Sequence, residues 1–297
     1  MHPNEILEAY SRGENVIEWL RKASGAISNT EEIIETSYDI RTGSYDTTLQ
    51  KPETWSFKRD YGLALASEIE ALTIPKSVLE AGVGEGKTMS FLKNSFEVQP
   101  DYLHGFDISW SRIAACRKWL DSHGPNNIFL SVARLRHAPY ADSSFDIVYT
   151  SHAIEPNGGK ERSILAELFR ITSRYLILLE PGYEMATEAS RQRMKKLGYC
   201  TGLVRHATDL GMKVVKHAMF PFTENPLNPT AITVIEKNEG APTVIPRLVC
   251  PNYGTPLVDY PDSLYSAAAL RAYPKLLGIP CLRREDGIIA SSYEKYL

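Results

Sequence analysis

The segment Ser77-Val-Leu-Glu-Ala-Gly-Val-Gly-Glu-Gly-Lys-Thr88 is the most informative part of this chain. Its apolar run at residues 78–81 predicts a short buried strand, and a glycine-rich turn follows directly. Residues 88–93 then open a helix. Glycine lets a ligand approach the backbone closely, and the free N–H groups at a helix N-terminus favour an anionic group. The segment therefore predicts a binding site for a nucleotide-like ligand.

The composition is that of an ordinary globular protein. The 297 residues are 43% hydrophobic and 23% charged, with a formal net charge of −3. This length suffices for one large α/β domain and a smaller appendage. The chain has no long basic block, which disfavours nucleic acid as a partner. No apolar run reaches the roughly 18 residues that a membrane span needs, so we expect no membrane association.

The N-terminus and the cysteines bear on location. No cationic segment followed by an apolar core occurs at the N-terminus, so we expect no signal peptide. The cysteines are too few and too scattered for a disulfide framework, which predicts a cytoplasmic protein. They are Cys116, Cys200, Cys250 and Cys281. The oligomeric state stays open, and a homodimer is compatible with the sequence.

From residue 77 onward, apolar strands alternate with amphipathic helices. We predict strands at residues 78–81, 102–107, 128–132, 145–150, 175–179, 213–217 and 231–236, and helices at 109–121, 160–171 and 187–197. Such alternation indicates a mainly parallel sheet covered on both faces. The last two strands, which flank a proline-rich connection, predict an antiparallel pair that closes the sheet.

The chain before this unit predicts a helical cap. Asn4 is suited to N-cap a helix whose apolar residues recur at helical spacing as far as Leu20. The aromatic stretch 38–45 contains a glycine and predicts a loop, which serves either as a packed linker or as a lid. Helical periodicity resumes at Lys58. We therefore predict a cap at 1–60, the main domain at 61–237, a linker at 238–242 and a small module at 243–297.

Two ligands compete for the glycine turn. An acid and three alternate glycines match a mononucleotide fold that binds S-adenosylmethionine: Glu80, Gly82, Gly84 and Gly86. Asp107, at the end of the second strand, is placed to take the ribose hydroxyls. Alternatively, residues 81–88 are nearly a phosphate-binding loop that ends in Gly-Lys-Thr, with alanine in place of the first glycine.

Three features favour the methyl donor. Glu80 would place a carboxylate beside a triphosphate, which repels it. Asp107 has a role on a ribose but none in a phosphate-binding loop. The strand that begins Phe145-Asp146 lies where the fourth strand meets the methionine end of the donor.

Four motifs extend this interpretation. They are Val78-Leu-Glu-Ala-Gly-Val-Gly-Glu-Gly86, Gly105-Phe-Asp-Ile-Ser109, Ala138-Pro-Tyr-Ala-Asp-Ser-Ser-Phe-Asp146 and Ser151-His-Ala-Ile-Glu155. Through them, residues 78–237 resemble the class I S-adenosylmethionine-dependent methyltransferases, in particular small-molecule enzymes with a methyltransferase type 11 domain. The resemblance implies an α/β, Rossmann-like, mostly parallel sheet of seven strands in the order 3-2-1-4-5-7-6, with strand 7 antiparallel. It also implies S-adenosylmethionine as the cofactor.

The sequence departs from that family at two positions. Many relatives carry an acid that reaches the adenine amino group where this chain has Arg134, so we expect backbone groups around Leu135 and apolar walls to hold the adenine. Ile108 and Ser151 complete the predicted cofactor site. The second departure is Pro156, which replaces a histidine after the fourth strand. The loop that follows it is polar, and we expect it to select the acceptor.

Methyl transfer from a sulfonium is an in-line displacement, so alignment of the donor and the nucleophile supplies most of the rate. A base is needed only if the acceptor must lose a proton. His152, just past the fourth strand, is our first candidate for the base, with orientation of its loop as the alternative. Glu155 is the second candidate, with anchoring of the same loop as its alternative. The predicted substrate-binding residues are Tyr45, Asn157 and Tyr183.

The C-terminal residues 243–297 predict a small β-rich module. The stretches Leu248-Val-Cys-Pro-Asn-Tyr253 and Tyr273-Pro-Lys-Leu-Leu-Gly-Ile-Pro280 resemble the zinc-ribbon-like family of small proteins that activate methyltransferases. Tyr253 replaces the second cysteine of that family's Cys-Pro-x-Cys motif. Cys250 and Cys281 alone are too few ligands for tetrahedral zinc, so we expect no metal. The resemblance implies a built-in partner that covers apolar surface or a sheet edge. A tail without function is the alternative.

The sequence thus leaves three functional hypotheses. The first is a methyltransferase acting on an oxygen or nitrogen of a small molecule, such as a sugar or a biosynthetic intermediate. The second is an RNA or protein methyltransferase with a built-in activator-like module. The third, of another class, is a nucleoside-triphosphate-binding switch that uses Gly86-Lys87-Thr88. On either methyltransferase hypothesis, the sequence specifies the methyl donor better than the acceptor.

Overall fold

The computed structural model describes residues 3–43, 49, 51–123, 127–237 and 245–297. Seven strands form one sheet in the order β3-β2-β1-β4-β5-β7-β6. They are β1 (Ser77–Ala81), β2 (Tyr102–Asp107), β3 (Ile128–Val132), β4 (Phe145–Ser151), β5 (Thr172–Pro181), β6 (Lys213–Met219) and β7 (Thr230–Glu236). β7 is antiparallel to β5 and β6, whereas the other pairs are parallel. The predicted sheet and its order are confirmed.

The helices are numbered along the chain. They are α1 (Pro3–Ser11), α2 (Val16–Ser24), α3 (Glu31–Ile40), α4 (Pro52–Glu70), α5 (Lys87–Lys93), α6 (Trp110–Ser122), α7 (Glu161–Ile171), α8 (Glu188–Leu197) and α9 (Leu203–Asp209). The four helices predicted after β1, at 88–93, 109–121, 160–171 and 187–197, correspond to α5, α6, α7 and α8. Ser109 caps α6, because its side chain accepts a hydrogen bond from the Arg112 N–H at 3.2 Å.

Both faces of the sheet are buried. Adjacent residues of β1, Val78 and Leu79, belong to opposite apolar clusters, since successive side chains of a strand point to opposite faces. One cluster includes Leu65 of α4, and the other includes Leu165 of α7. A parallel sheet covered in this way leaves the carboxyl ends of its strands as the open place for a ligand.

The cap differs from its prediction. The helix expected from Asn4 to Leu20 is two helices, α1 and α2, because the chain turns at Gly13 with φ 76°. Asn15 caps α2 by accepting from the Glu18 N–H at 3.1 Å. Leu7, expected on the packed face, is 51% exposed. The prediction of one continuous helix was wrong.

The stretch between the cap and the main domain also differs. Tyr38 lies in α3, so the loop predicted at 38–45 begins later than expected. α4 begins at Pro52 and not at Lys58, because proline at a first helical position needs no N–H partner. The predicted boundary at residue 60 therefore cuts through a helix. The predicted linker at 238–242 lies outside the described residues.

The C-terminal module is an antiparallel sheet of five short strands. These are β8 (Val258–Tyr260), β9 (Ser263–Ser266), β10 (Arg271–Leu276), β11 (Ile279–Pro280) and β12 (Ile288–Ile289). The module lies against the outer edge of β3, where Cys281 forms a parallel bridge with Val132 and the Leu282 N–H donates to the Val132 carbonyl at 2.8 Å. Such pairing covers an otherwise open sheet edge.

The two cysteines of the module lie in different surroundings. Cys250 is in the module's own apolar cluster, and its thiol lies 3.1 Å from the Tyr273 hydroxyl. Cys281 packs into the core of the main domain. In the described ranges, no group of three or more His, Cys, Asp or Glu residues is arranged to hold a metal ion. None of the helices described is long and apolar enough to cross a membrane.

Candidate donor and acceptor site

A cavity of about 380 Å³ lies at the carboxyl ends of β1, β2 and β4. Open α/β sheets bind their ligands at this place. The structure brings most of the predicted site residues together on its walls. They are Glu80, Gly82, Gly84, Asp107, Ile108, Arg134, Leu135, Ser151, His152, Glu155 and Asn157.

Two predicted residues in the described part of the chain do not join this set. Gly86 lies at the start of α5, where a Cβ atom would be 2.4 Å from the Cys116 thiol, so it shapes the turn and does not line the cavity. Tyr183 lies on a short 3₁₀ turn with its ring beside Lys195, away from the residues described as lining the cavity. Tyr45 lies outside the described residues.

The glycine turn is tied to β2 by backbone hydrogen bonds. The N–H groups of Gly82 and Val83 donate to the Phe106 carbonyl at 2.8 and 2.9 Å. Gly82 has φ 82°, and a Cβ atom there would lie 2.3 Å from the Ala153 Cβ atom. Both the backbone conformation and the contact therefore require glycine.

Asp107 is held by the backbone on both sides. Its carboxylate accepts from the Gly84 N–H and from the Ser109 N–H, each at 3.0 Å. The residue is 7% exposed and lines the cavity. A carboxylate has about four lone-pair sites, so two remain for a pair of ligand hydroxyls. This arrangement positions a fixed negative charge at the end of β2.

Glu80 is a second acid at this end of the cavity. It is 2% exposed and accepts a hydrogen bond from the Tyr149 hydroxyl at 2.8 Å. Burial raises the pKa of Glu80 to about 8, and the nearby Asp107 carboxylate adds to the shift. A buried acid of this kind gains from a cationic ligand group, because a nearby positive charge favours its ionised form.

Lys87, at the start of α5, does not extend into solvent. The residue is 7% exposed, and its ammonium lies 3.3 Å from the centre of the Trp119 ring. This is a cation–π contact. In a phosphate-binding loop, the corresponding lysine reaches the phosphates. The position of Lys87 gives no support to the nucleoside-triphosphate hypothesis.

His152 follows β4 and lines the cavity on the side of β1 opposite to β2 and Asp107. It has φ 56°, a rare conformation for a residue with a side chain. Its Nδ1 lies 2.6 Å from a Glu155 carboxylate oxygen, and its Nε2 lies 2.9 Å from the Thr230 hydroxyl. Burial lowers the pKa of His152, but the Glu155 carboxylate outweighs burial and the net shift is upward. Both ring nitrogens therefore have partners within the protein.

Glu155 is surrounded by donors. Besides His152, the Asn228 side-chain N–H₂ donates to the same carboxylate oxygen at 2.8 Å. Burial raises the pKa of Glu155. The hydrogen bonds from His152, Asn228 and Tyr199 lower this pKa by more than burial raises it, so its net shift is downward. A carboxylate stabilised in this way is a weak base. Asn157 steadies the same loop, because its side chain donates to the Ala153 carbonyl at 3.1 Å.

Glu180 organises this loop, a role that the sequence analysis missed. Its carboxylate accepts from the N–H groups of Ala153 and Ile154, both at 3.0 Å, and of Glu155 at 2.9 Å. Burial raises the pKa of Glu180 to about 7. The only signal in the sequence was an acid at the end of the fifth predicted strand. Glu180 therefore fixes the backbone that presents His152 and Glu155.

Further lining residues come from distant segments. Lys58 of α4 pairs with Glu224 at 2.9 Å, and Glu224 lies with Asn225 and Asn228 on the connection between β6 and β7. All four line the cavity. These residues belong to no sequence motif. Only the tertiary fold brings their segments next to the cavity.

The cap is attached to both ends of the cavity. Asp39 of α3 accepts from the Ser109 hydroxyl at 2.6 Å, next to Asp107. The Gly43 N–H donates to the Glu85 carboxylate at 3.1 Å, over the glycine turn. At the other end, the Asn29 side chain donates to the Pro156 carbonyl at 3.0 Å. The cap therefore forms part of the cavity wall.

Comparison with known proteins agrees with this geometry. Residues 78–174, from β1 to the start of β5, match the family model described as a methyltransferase domain. The magnesium protoporphyrin IX methyltransferase of Synechocystis PCC 6803, solved with bound S-adenosylhomocysteine, is 14% identical, covers 70% of this chain and 100% of its own, and gives a TM-score of 0.51. A methyltransferase from Methanosarcina mazei, described as S-adenosylmethionine-dependent, is 18% identical. It covers 57% of this chain and 96% of its own, and gives a TM-score of 0.47.

No curated protein sequence matches the chain. At 14% identity, the Synechocystis structure informs on the fold alone, whereas the match of residues 78–174 informs on the enzyme class. Residues 78–174 therefore match a methyltransferase domain, within a sheet that has the Rossmann-like strand order, and this match supports S-adenosylmethionine as the cofactor.

Proposed function

We propose that this protein transfers a methyl group from S-adenosylmethionine to an oxygen or nitrogen of a small-molecule acceptor. The observation that carries the proposal is that one cavity is lined by residues from both sides of β1, since β2 and β4 flank this strand in the sheet. One end has Asp107 and the glycine turn, and the other has the polar loop after β4 beneath the cap. We further propose a cytoplasmic location, since the four cysteines are free and buried.

The residues at the first end suit the donor. Asp107 would accept both ribose hydroxyls, because its remaining lone pairs line the cavity. Glu80 would face the ammonium group of the methionine part, which offsets the cost of its burial. Ile108 and Leu135 supply apolar walls for the adenine. When bound, S-adenosylmethionine supplies an electrophilic methyl group on a sulfonium.

At the second end, we assign His152 and Glu155 to positioning. Each is already hydrogen-bonded to protein partners, and the shift in each pKa favours the ion pair over a proton-accepting imidazole. Their contribution is to hold the loop that borders the acceptor. Rate then comes from alignment, as expected when the leaving group is a neutral thioether. The proton that a hydroxyl or amine acceptor loses passes to water.

The charges around the cavity favour a small acceptor over RNA. The cations Lys58, Arg134 and Arg136 are paired with the acids Glu224 and Glu31. A groove for RNA needs cations that neutralise phosphates. Helix α3 also covers the cavity with Ile34 and Tyr38, which suits an enclosed acceptor. Protein substrates would need to reach past this helix.

Ligand-dependent thermal stability tests the donor assignment. We expect S-adenosylhomocysteine to raise the melting temperature, because a ligand that binds only the folded state stabilises it. ATP with magnesium serves as the control and should leave the melting temperature unchanged. Stabilisation by ATP with magnesium alone would overturn the proposal. Transfer of a labelled methyl group to small metabolites but not to RNA would then support the acceptor class.

A further inference from the structure

The C-terminal module contacts the cap as well as the β3 edge. Arg283 of the module pairs with Glu35 of α3, through its Nη1 and a carboxylate oxygen. Glu285 pairs with Arg134 of the main domain, with 2.9 Å between the Arg134 Nε and the carboxylate. Arg134 also pairs with Glu31 of α3 at 2.9 Å. Charges from all three parts of the chain therefore meet beside the cavity.

The Arg283 side chain is oriented by contacts other than those with the cap. The preceding residue, Leu282, is fixed by its backbone hydrogen bond to Val132 at 2.8 Å. The guanidinium donates two hydrogen bonds to the Asp286 carboxylate, from Nε and Nη2, both at 2.9 Å. Such a bidentate pair fixes the plane of the guanidinium. Its remaining nitrogen, Nη1, is the one that contacts Glu35.

Helix α3 is held from two sides. Glu31 and Glu35 lie one turn apart, so they share a face of the helix. Glu31 is held by Arg134 at 2.9 Å and by Arg136 at 2.8 Å, whereas Glu35 is held by Arg283 and, at 3.6 Å, also by Arg134. The same helix contributes Ile34 and Tyr38 to the cavity wall. Movement of α3 away from the cavity requires both sets of ion pairs to break.

We propose that the C-terminal module is a clamp, in which Arg283 holds α3 closed over the cavity and slows the escape of the bound methyl donor. The Arg283 and Glu35 side chains are only 20% and 27% exposed, so their ion pair is partly shielded from solvent. Opening α3 separates the Glu35 carboxylate from Arg283, which stays paired with Asp286, and the loss of this partly buried ion pair costs free energy. The identity of the ligand rests on the proposed function.

Replacement of Arg283 tests the clamp. We expect Arg283→Ala to release S-adenosylhomocysteine about tenfold faster, the effect of losing one charge-assisted hydrogen bond. The association rate should change little. Arg117→Ala is the matched control, because Arg117 also contacts the module, through the Leu277 carbonyl at 2.8 Å, but not the cap. Release should be near the wild-type rate in this control.

Hydrogen exchange without ligand gives an independent measurement. The amides of α3 should exchange faster in Arg283→Ala and at the wild-type rate in Arg117→Ala. Unchanged exchange and release in Arg283→Ala, or equal changes in both variants, would overturn the clamp. If the wild-type protein fails to bind S-adenosylhomocysteine, the proposed function fails. Hydrogen exchange of the α3 amides then still tests whether Arg283 holds α3 in place. Glu35→Gln tests the same ion pair from the cap if Arg283→Ala does not fold.

Discussion

The two ends of the cavity are built in different ways. The proposed donor end comes from β1, β2 and the turns that follow them, where the Gly82 N–H donates to the Phe106 carbonyl and the Gly84 N–H donates to the Asp107 carboxylate. The acceptor end is assembled from side chains far apart in sequence, such as Lys58 and Asn228. On the proposed assignment, local backbone geometry therefore specifies the donor end, whereas tertiary packing specifies the acceptor end.

The largest effect should come from the glycine turn. In Gly82→Ala, the new Cβ atom meets Ala153 at 2.3 Å in a backbone with φ 82°, and we expect a loss of about 3 kcal/mol or more in unfolding free energy. Gly159→Ala is the control, because φ is 83° there and no described atom lies within 4 Å. It should cost about 1 kcal/mol. Urea unfolding measures both, and equal costs would show that the contact with Ala153 is not the constraint.

Next in size is the loss of the ribose acceptor. Asp107→Ala should weaken S-adenosylhomocysteine binding about a hundredfold, because two hydrogen bonds to a charged group disappear. Asp101, an exposed acid just before the same strand, supplies the control variant Asp101→Ala. Calorimetric titration of both variants measures the difference. An affinity of Asp107→Ala close to that of the control would remove the ribose from this end of the cavity.

Glu80 should couple donor binding to pH. Its pKa is raised to about 8, so ionisation opposes folding from about pH 4.5 upward, and the penalty grows until about pH 8. Without donor, Glu80→Gln should therefore be more stable than the wild type at pH 8, by on the order of 2 kcal/mol. The two proteins should be alike near pH 4.5. Donor affinity should fall in the variant.

Urea unfolding at pH 4.5, 6 and 8 checks this trend. A difference in stability that is the same at every pH would contradict it, because a constant difference indicates packing and not ionisation.

A smaller effect is expected at the acceptor end. His152→Gln should lower turnover about tenfold while donor affinity stays unchanged, because His152 positions the loop beside the acceptor. Equal losses of turnover and donor affinity would place His152 at the donor end instead.

The same variant should show a pH-dependent stability. The pKa of His152 is raised, so the charged pair with Glu155 stabilises the fold fully below about pH 6.5, and this contribution is lost as pH rises through the folded pKa. The gap in melting temperature between wild type and His152→Gln should be widest near pH 6 and close toward pH 9. A gap that widens with pH would contradict the pairing.

Much of the fold was predictable because its signals are local. The alternation of apolar runs predicted the strands, the family resemblance implied their order, and the glycine spacing with Asp107 predicted residues that line the cavity. Each of these residues is positioned by its own strand and turn.

The remainder depends on contacts between distant segments. The burial of Lys87 requires Trp119 of another helix, and the roles of Glu180 and Asn228 require the loop after β4. The break between α1 and α2 depended on Gly13, whose turn conformation overrides the helical periodicity on either side. Periodicity and motif spacing contain no information on such contacts.

A crystal structure with S-adenosylhomocysteine tests the division of the cavity most directly. We expect both ribose hydroxyls within hydrogen-bond distance of the Asp107 carboxylate, the ammonium group near Glu80, and the sulfur directed toward the loop that carries His152. A nucleoside bound beside Asn228, or outside the cavity, would contradict the assignment of the two ends.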